Sequence, residues 1–247
     1  MKTALVTGSD KGLGFELVKN LSQNGWQVIL GVRNLERGNQ AISQLTSLGL
    51  TNLSLVQLDL MDEVSIKAAA VEIEQNHTQL SLLINNAGIP GKEYVGYETP
   101  LEDLKATMQV NFFGTYLLIN QLTGLLHQNQ GTIVNITVPT NANHLWNPLA
   151  YKTSKGAQNV MTTSLGISFE QQAQNILIYA IHPGIMSTDL NNNVTGPFVH
   201  SAEVVGKKII QTILNKKHRS GDFVEIYHQI PDNALVRMLA KRFGPQD

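Results

Sequence analysis

The 247-residue chain has no cysteine at all, which excludes a disulfide framework, a thiolate nucleophile and a cysteine-ligated metal site. Charge is scarce: only 15% of residues are Asp, Glu, Lys or Arg, and 18 cationic side chains against 19 acidic ones leave a net charge of −1. No global basic field exists to hold nucleic acid, so any partner must be recognised locally. Long hydrophobic runs are missing too. No 18-residue apolar stretch occurs, and the opening Met1 to Thr7 breaks at Gly8 before a leader's apolar segment could form. A chain with no leader, no membrane segment and a cytoplasmic location is the expectation. What is plentiful is apolar residue, at 42%, and glycine, of which there are 20. The length suits one large α/β domain with a substantial core.

Short, continuous apolar runs alternate with longer helical patterns, as they do where strands of a parallel sheet are buried on both faces. Strands are expected at Thr3 to Thr7, Gln27 to Val32, Leu53 to Asp59, Leu80 to Asn85, Thr132 to Thr137, Ile176 to His182 and Phe223 to Ile226. Helical patterns lie at about 12 to 24, 35 to 48, 62 to 76, 101 to 128, 150 to 173 and 201 to 215. Right-handed crossovers between seven such strands give one doubly wound Rossmann domain over residues 1–247, with a mostly parallel seven-stranded sheet and helices on both faces. Residues 185–200 lack a period and read as a substrate loop, and 228–247 as a C-terminal tail.

The first strand runs into Thr7-Gly8-Ser9-Asp10-Lys11-Gly12-Leu13-Gly14, and a helix opens there with Leu13, Leu17, Val18 and Leu21 on one face. Glycines in a strand-to-helix turn let the backbone approach a pyrophosphate, which the free N–H groups and dipole of the helix attract. A glycine-rich turn with no ligand is the plain alternative. The second strand ends in Gly31-Val32-Arg33-Asn34, without the acid that hydrogen-bonds an NAD ribose. Arg33, Arg37 and Lys11 can instead converge on a ribose 2′-phosphate, which implies NADP(H). Asp10 stands against this, since its carboxylate sits beside the same spot. Asp59, at the end of the third strand and followed by Leu60, can meet an adenine amino group or cap the next helix.

Further along, Tyr151 and Lys155 are spaced i, i+4 in a helical pattern and share a face. An ammonium beside a phenol favours the phenolate and makes the phenol usable as an acid or base. An exposed amphipathic face would show the same spacing.

In order along the chain, Thr7 to Gly14, Asn85-Asn86-Ala87-Gly88, Asn111, Tyr151 with Lys155, and Pro183-Gly184 followed by Thr188-Asp189 resemble the short-chain dehydrogenase/reductase family, in the first half of the chain carbonyl-reductase-like members above all. The resemblance implies that Tyr151 donates a proton to a substrate carbonyl while a nicotinamide delivers hydride. Lys155 would hold the nicotinamide ribose and favour Tyr151 ionisation. Asn111 would bind a water linking Lys155 to solvent. Gly8, Ser9, Lys11, Gly12, Leu13, Gly14, Asn86, Ala87, Gly88, Val110, Pro183, Gly184, Met186 and Thr188 would line the cofactor.

One position departs from that pattern. Where the family has a serine thirteen residues before the tyrosine, this chain has Val138. Thr137 should point to the other side of the strand, so a bulge must turn it inward, or Thr140 must substitute, if a hydroxyl is to steady the substrate oxygen. Thr137 is the expected replacement. The loops after Gly88, from Pro139 to Asn147 with His144 and Trp146, and from Ile185 to Pro197 contain no Arg or Lys, which suits a small uncharged ketone, aldehyde or quinone. The apolar stretch Phe112 to Leu126 and the Tyr151 helix suggest a homodimer or homotetramer by family analogy. Val138 also keeps open a protein that binds NADP(H) for sensing or partner binding.

Overall fold

The computed structural model describes residues 2–92, 94–141, 147–187, 196, 199–215 and 218–228. Seven strands form one sheet in the order β3-β2-β1-β4-β5-β6-β9, every neighbouring pair parallel. They are β1 (Thr3–Thr7), β2 (Gln27–Val32), β3 (Leu53–Gln57), β4 (Leu80–Asn85), β5 (Thr132–Ile136), β6 (Leu177–His182) and β9 (Phe223–Glu225). The helices are α1 (Gly12–Gln23), α2 (Leu35–Ser47), α3 (Glu63–Asn76), α4 (Leu101–Met108), α5 (Thr115–Gln128), α6 (Leu149–Gln171) and α7 (Ala202–Leu214). This is the expected doubly wound Rossmann domain.

Residues alternate between two cores because successive side chains on a strand point to opposite faces. Leu5, Ile29, Leu83, Ile133 and Ile178 pack with α3, α5 and α6 on one side. Val6, Leu30, Ile84, Val134 and Ile181 pack with α1, α2 and α7 on the other. Strands sandwiched in this way need apolar residues at every position, which is why their sequence runs are continuous. The chain winds outward from β1 to β3 and then crosses to β4, so β1 and β4 are neighbours whose following helices pack on opposite faces of the sheet. The crevice at their carboxyl ends is where an open α/β sheet binds ligands.

Two expectations are corrected. The helical pattern of residues 101–128 is broken: α4 gives way to a π-helical turn, Gln109–Gly114, before α5 begins. A side chain at Gly114 would run into the carbonyl of Leu60, so the segment lies directly on the turn after β3, and this contact was not visible in the local sequence. Residues 185–200 are not wholly loop, since β7 (Met186–Ser187) and β8 (His200–Ser201) pair as a two-stranded parallel ribbon. The tail expected over 228–247 lies outside the described residues apart from His228.

Candidate active site

At the carboxyl end of β1 the backbone must turn sharply into α1, and Gly8 (φ 63°) and Gly12 (φ 57°) occupy the left-handed region that glycine enters at little cost. Gly14 is pinned for a different reason: a Cβ there would strike the Gly8 carbonyl and lie 2.7 Å from Asn86 Nδ2. Asn86 donates from that amide to the carbonyls of Thr7 (3.0 Å) and Gly8 (3.1 Å), and the Asn86 and Ala87 N–H groups donate to Thr7 Oγ1. The turn after β4 is thereby tied to the glycine turn. Lys11, the residue before α1, gives the helix no side-chain cap, and no acid stands in its first turn. Ser9 Oγ is buried with no protein partner among the described residues. An uncapped, acid-free helix start beside an orphaned hydroxyl fits a pyrophosphate.

Lys11 and Arg37 meet at a hollow of about 230 Å³, lined also by Asp10, Gln40, Ala41 and Gln44. Arg33 is exposed at the end of β2 and is not in that lining. Asn34 caps α2, accepting from the Arg37 N–H at 2.9 Å, and so fixes where the Arg37 side chain starts. Asp59 Oδ1 accepts from the Met61 N–H (2.9 Å) in the turn after β3, whereas Asp62 caps α3 through the Val64 N–H. Leu60 is buried beside Gly114. A larger hollow of about 460 Å³, lined by Gly131 and Leu177 among others, lies at the amino ends of β5 and β6, away from the carboxyl-end crevice, and takes no part in this site.

The chemical groups gather where α6 passes the ends of β4 and β5. Tyr151 (7% exposed) and Lys155 (3%) are buried together, with Lys155 Nζ 5.9 Å from the centre of the phenol ring. Lys155 donates to the Ile136 carbonyl at 2.8 Å and to Gln158 Oε1 at 3.1 Å. Burial disfavours a charge, so the Lys155 ammonium is pulled down to about 7 and the Tyr151 phenol is pushed well above its usual range. Asn111, fully buried in the π-helical turn, accepts from the Ile89 N–H and donates to the Ile89 carbonyl and to Ser154 Oγ. Ser154 Oγ donates to the Tyr151 carbonyl at 2.8 Å. Gly88 completes the group: a Cβ on it would lie 3.1 Å from Asn111 Oδ1 and 3.7 Å from Lys155 Nζ.

A sequence model of the short chain dehydrogenases matches residues 2–197, which span all of these groups. The chain belongs to the short-chain dehydrogenase family. The family is one of oxidoreductases. The chain is 30% identical over 223 residues to the short-chain dehydrogenase anuI of Penicillium roqueforti, covering 84% of this chain and 86% of that one. It is 38% identical over 144 residues to a bovine protein named carbonyl reductase [NADPH] 1, spanning 58% of this chain and half of that one. Its fold is similar to that of an NADPH-bound carbonyl reductase from chicken fatty liver, with a TM-score of 0.81 at 24% identity over 91% of this chain and 96% of the other. Among the described residues no helix is long and apolar enough to cross a membrane.

Against the family pattern, the end of β5 is where this short-chain dehydrogenase differs. Thr137 Oγ1 is buried and donates to Asn159 Oδ1 at 2.7 Å, and Asn159 in turn donates to the Val138 carbonyl at 3.0 Å. Thr140 is exposed, its position set over Gly156 on α6. Val110 is buried in the π-helical turn, and Pro183 is buried just beyond β6. At Gly184 (φ 91°) a Cβ would come within 2.8 Å of Tyr227, whose ring stacks on His200 at 3.6 Å and carries Lys208 Nζ 4.0 Å above it. That stack holds β8 and so the Met186 strand beside it. Thr188, His144 and Trp146 lie outside the described residues. Gln158 and Ser154 were missed by sequence reading. Their signal was the 3.6 period itself, because 151, 154, 155, 158 and 162 all lie in the buried stripe of α6.

Proposed function

We propose that the chain is an NADPH-dependent reductase of small uncharged ketones, aldehydes or quinones, working in the cytoplasm. The observation that carries this reading is the burial of Tyr151 against Lys155 beside Gly88 and Asn111. Gly8, Ser9, Gly12, Leu13 and Gly14 would hold the pyrophosphate, Lys11 and Arg37 the 2′-phosphate with Arg33 at the rim, and Asp59 and Leu60 the adenine side. Asn86, Ala87, Gly88, Val110, Pro183, Gly184, Met186 and Thr188 would carry the nicotinamide half. When bound, the reduced nicotinamide supplies hydride to the carbonyl carbon. Tyr151, which keeps its proton at neutral pH because it is buried, gives that proton to the carbonyl oxygen, so that an alcohol leaves and a phenolate remains. Lys155 stabilises the phenolate through its charge until solvent returns the proton.

The hydroxyl that would steady the substrate oxygen is assigned to no residue by hydrogen bonding. Thr137 is the candidate nearest β5 and would have to leave Asn159 to serve; Thr140 is the other. Exposed apolar side chains, Phe113 in the π-helical turn, Tyr116 on α5, and Val160 and Ile167 on α6, support a homodimer or homotetramer. A monomer mass in light scattering at micromolar concentration would overturn that.

The decisive assay follows NADPH oxidation against a panel of ketones, aldehydes and quinones, with Tyr151→Phe as control. Turnover in the wild type, reduced ~10²–10⁴-fold or more in the variant while NADPH binding is retained, is the expected result. Nucleotide binding with no turnover on any carbonyl would instead return the sensor or partner-binding reading.

A further inference from the structure

Gln158 is a fully buried amide one turn beyond Lys155, in a stripe of α6 that otherwise faces core and proton-transfer groups. Its two ends have different jobs. Nε2 donates to the Asn111 carbonyl at 3.3 Å, and Oε1 accepts from Lys155 Nζ at 3.1 Å. A carbonyl can only accept, so the Asn111 contact fixes which way the amide is turned and leaves its oxygen facing Lys155. An acceptor locked in that direction favours ammonium over amine.

Resting on the reading of Tyr151 and Lys155 as the proton-transfer pair, we propose that Gln158 is a positioning residue: a neutral acceptor, locked by the Asn111 carbonyl, that keeps Lys155 protonated and fixed beside Tyr151 in a dry site. The surroundings explain why one is needed. Tyr151 is the titratable neighbour on α6; β5 offers only the Ile136 carbonyl, the turn after β4 offers Gly88, and the π-helical turn offers Asn111. On β6, His182 directs Nδ1 to the Thr137 carbonyl. Burial disfavours the Lys155 charge, and no carboxylate among the described residues pairs with it. Lys155 therefore depends on neutral acceptors for its charge, and Gln158 is the one that comes from a side chain. Its backbone is held as well: the Gln158 carbonyl accepts from Thr162 Oγ1, which accepts from Asn135, whose own amide oxygen accepts from Asn85. An amide does not hand on a proton, so the link from Lys155 through Gln158 to Asn111 carries orientation only.

The test is a titration of the Lys155 side chain by NMR in protein labelled with ¹³C-lysine, without substrate, comparing wild type, Gln158→Met and Gln158→Glu. Lys155→Met identifies the signal. Gln158→Met removes the acceptor at nearly constant volume, and Lys155 is expected to titrate about one pH unit lower. Gln158→Glu puts a carboxylate in its place, and Lys155 is expected to titrate at least one pH unit or so higher. In an active enzyme the alkaline limb of the kcat/KM profile should move in the same two directions. A folded variant of either kind in which Lys155 titrates as in the wild type overturns the proposal, and thermal melts identify which variants are folded. If Gln158→Met does not fold, the near-isosteric Gln158→Glu decides alone. Because the titration needs no turnover, a wild type that reduces no carbonyl would sink the reading of Tyr151 while leaving the Gln158 result to stand or fall separately.

Discussion

At the end of β1 the proposed nucleotide site offers backbone and cations that stand in water, Lys11, Arg33 and Arg37 all being exposed. Where α6 meets the π-helical turn the proposed site is built from buried side chains, Lys155 being 3% exposed and Asn111 and Gln158 fully buried. In the proposed site the same residue type would therefore do different work at the two ends. An exposed lysine keeps its charge at little cost and contributes affinity that salt screens. A buried one is held by hydrogen bonds and has its proton affinity altered, so it contributes to rate and to pH dependence. Substitutions at the glycine-turn end should change how tightly nucleotide is held, and those at the α6 end how fast and at what pH it is used.

The largest expected effect lies at the α6 end, where this comparison is also easiest to break. Thr137 donates to Asn159, so a substrate carbonyl oxygen would be one donor short of the family pattern unless a threonine hydroxyl is released to serve it. Val138→Ser is expected to raise kcat by ~10²–10³, the usual worth of one oxyanion donor, with the KM for NADPH unchanged. An unchanged kcat would assign the donor to a threonine already present, and Thr137→Val and Thr140→Val would then tell the two apart.

A second effect concerns stability. Folded Lys155 holds its proton only to about pH 7, against 10.5 for the ordinary side chain that the unfolded chain carries. Between those values the unfolded chain binds the extra proton, so stability rises with pH by at most ~1.4 kcal/mol per unit. The Tyr151 phenol, raised above its ordinary 10.0, acts with opposite sign and only above that pH, where the unfolded phenol ionises first. Urea midpoints from pH 7 to 9 should therefore climb in the wild type relative to Lys155→Met. Parallel curves would mean that Lys155 stays charged when buried, and the contrast between the two ends would narrow.

What was legible in the sequence was local. The seven strands were found because residues buried on both faces leave a continuous apolar run, and the Tyr151–Lys155 pair because a 3.6 period is a property of neighbours. The glycine turn was legible because Gly8 and Gly12 meet a backbone requirement that few other residues can. The rest depends on contacts between distant segments. The break in the helix over 101–128 ends at Gly114, which lies on Leu60, a meeting of two crossovers that no window of sequence contains. Gln158 is significant only because the π-helical turn brings the Asn111 carbonyl within reach of its amide. Strand alternation turns Thr137 away from the site, yet its hydroxyl is held by Asn159 on the Tyr151 helix, 22 residues away, a contact no local window contains.

The smallest effect sharpens the comparison from its other side. Lys11 and Arg37 share a hollow with Asp10, so a 2′-phosphate there would gain two cations and meet one anion. A guanidinium can bind phosphate through two parallel N–H bonds and an ammonium only as a point charge, so Arg37→Ala should weaken NADPH binding more than Lys11→Ala. Exposure and screening limit each loss to roughly threefold to tenfold, shrinking as salt rises. NADH, which lacks the phosphate, should bind both variants as it binds the wild type. Asp10→Asn should act in reverse and tighten NADPH, since it removes the one carboxylate in the hollow while keeping the shape of the side chain. Fluorescence titrations of the two nucleotides at low and high salt would measure all three. Equal affinity for NADH and NADPH in the wild type would show that the cations do not meet the phosphate, leaving nucleotide binding at this end to the glycine turn alone.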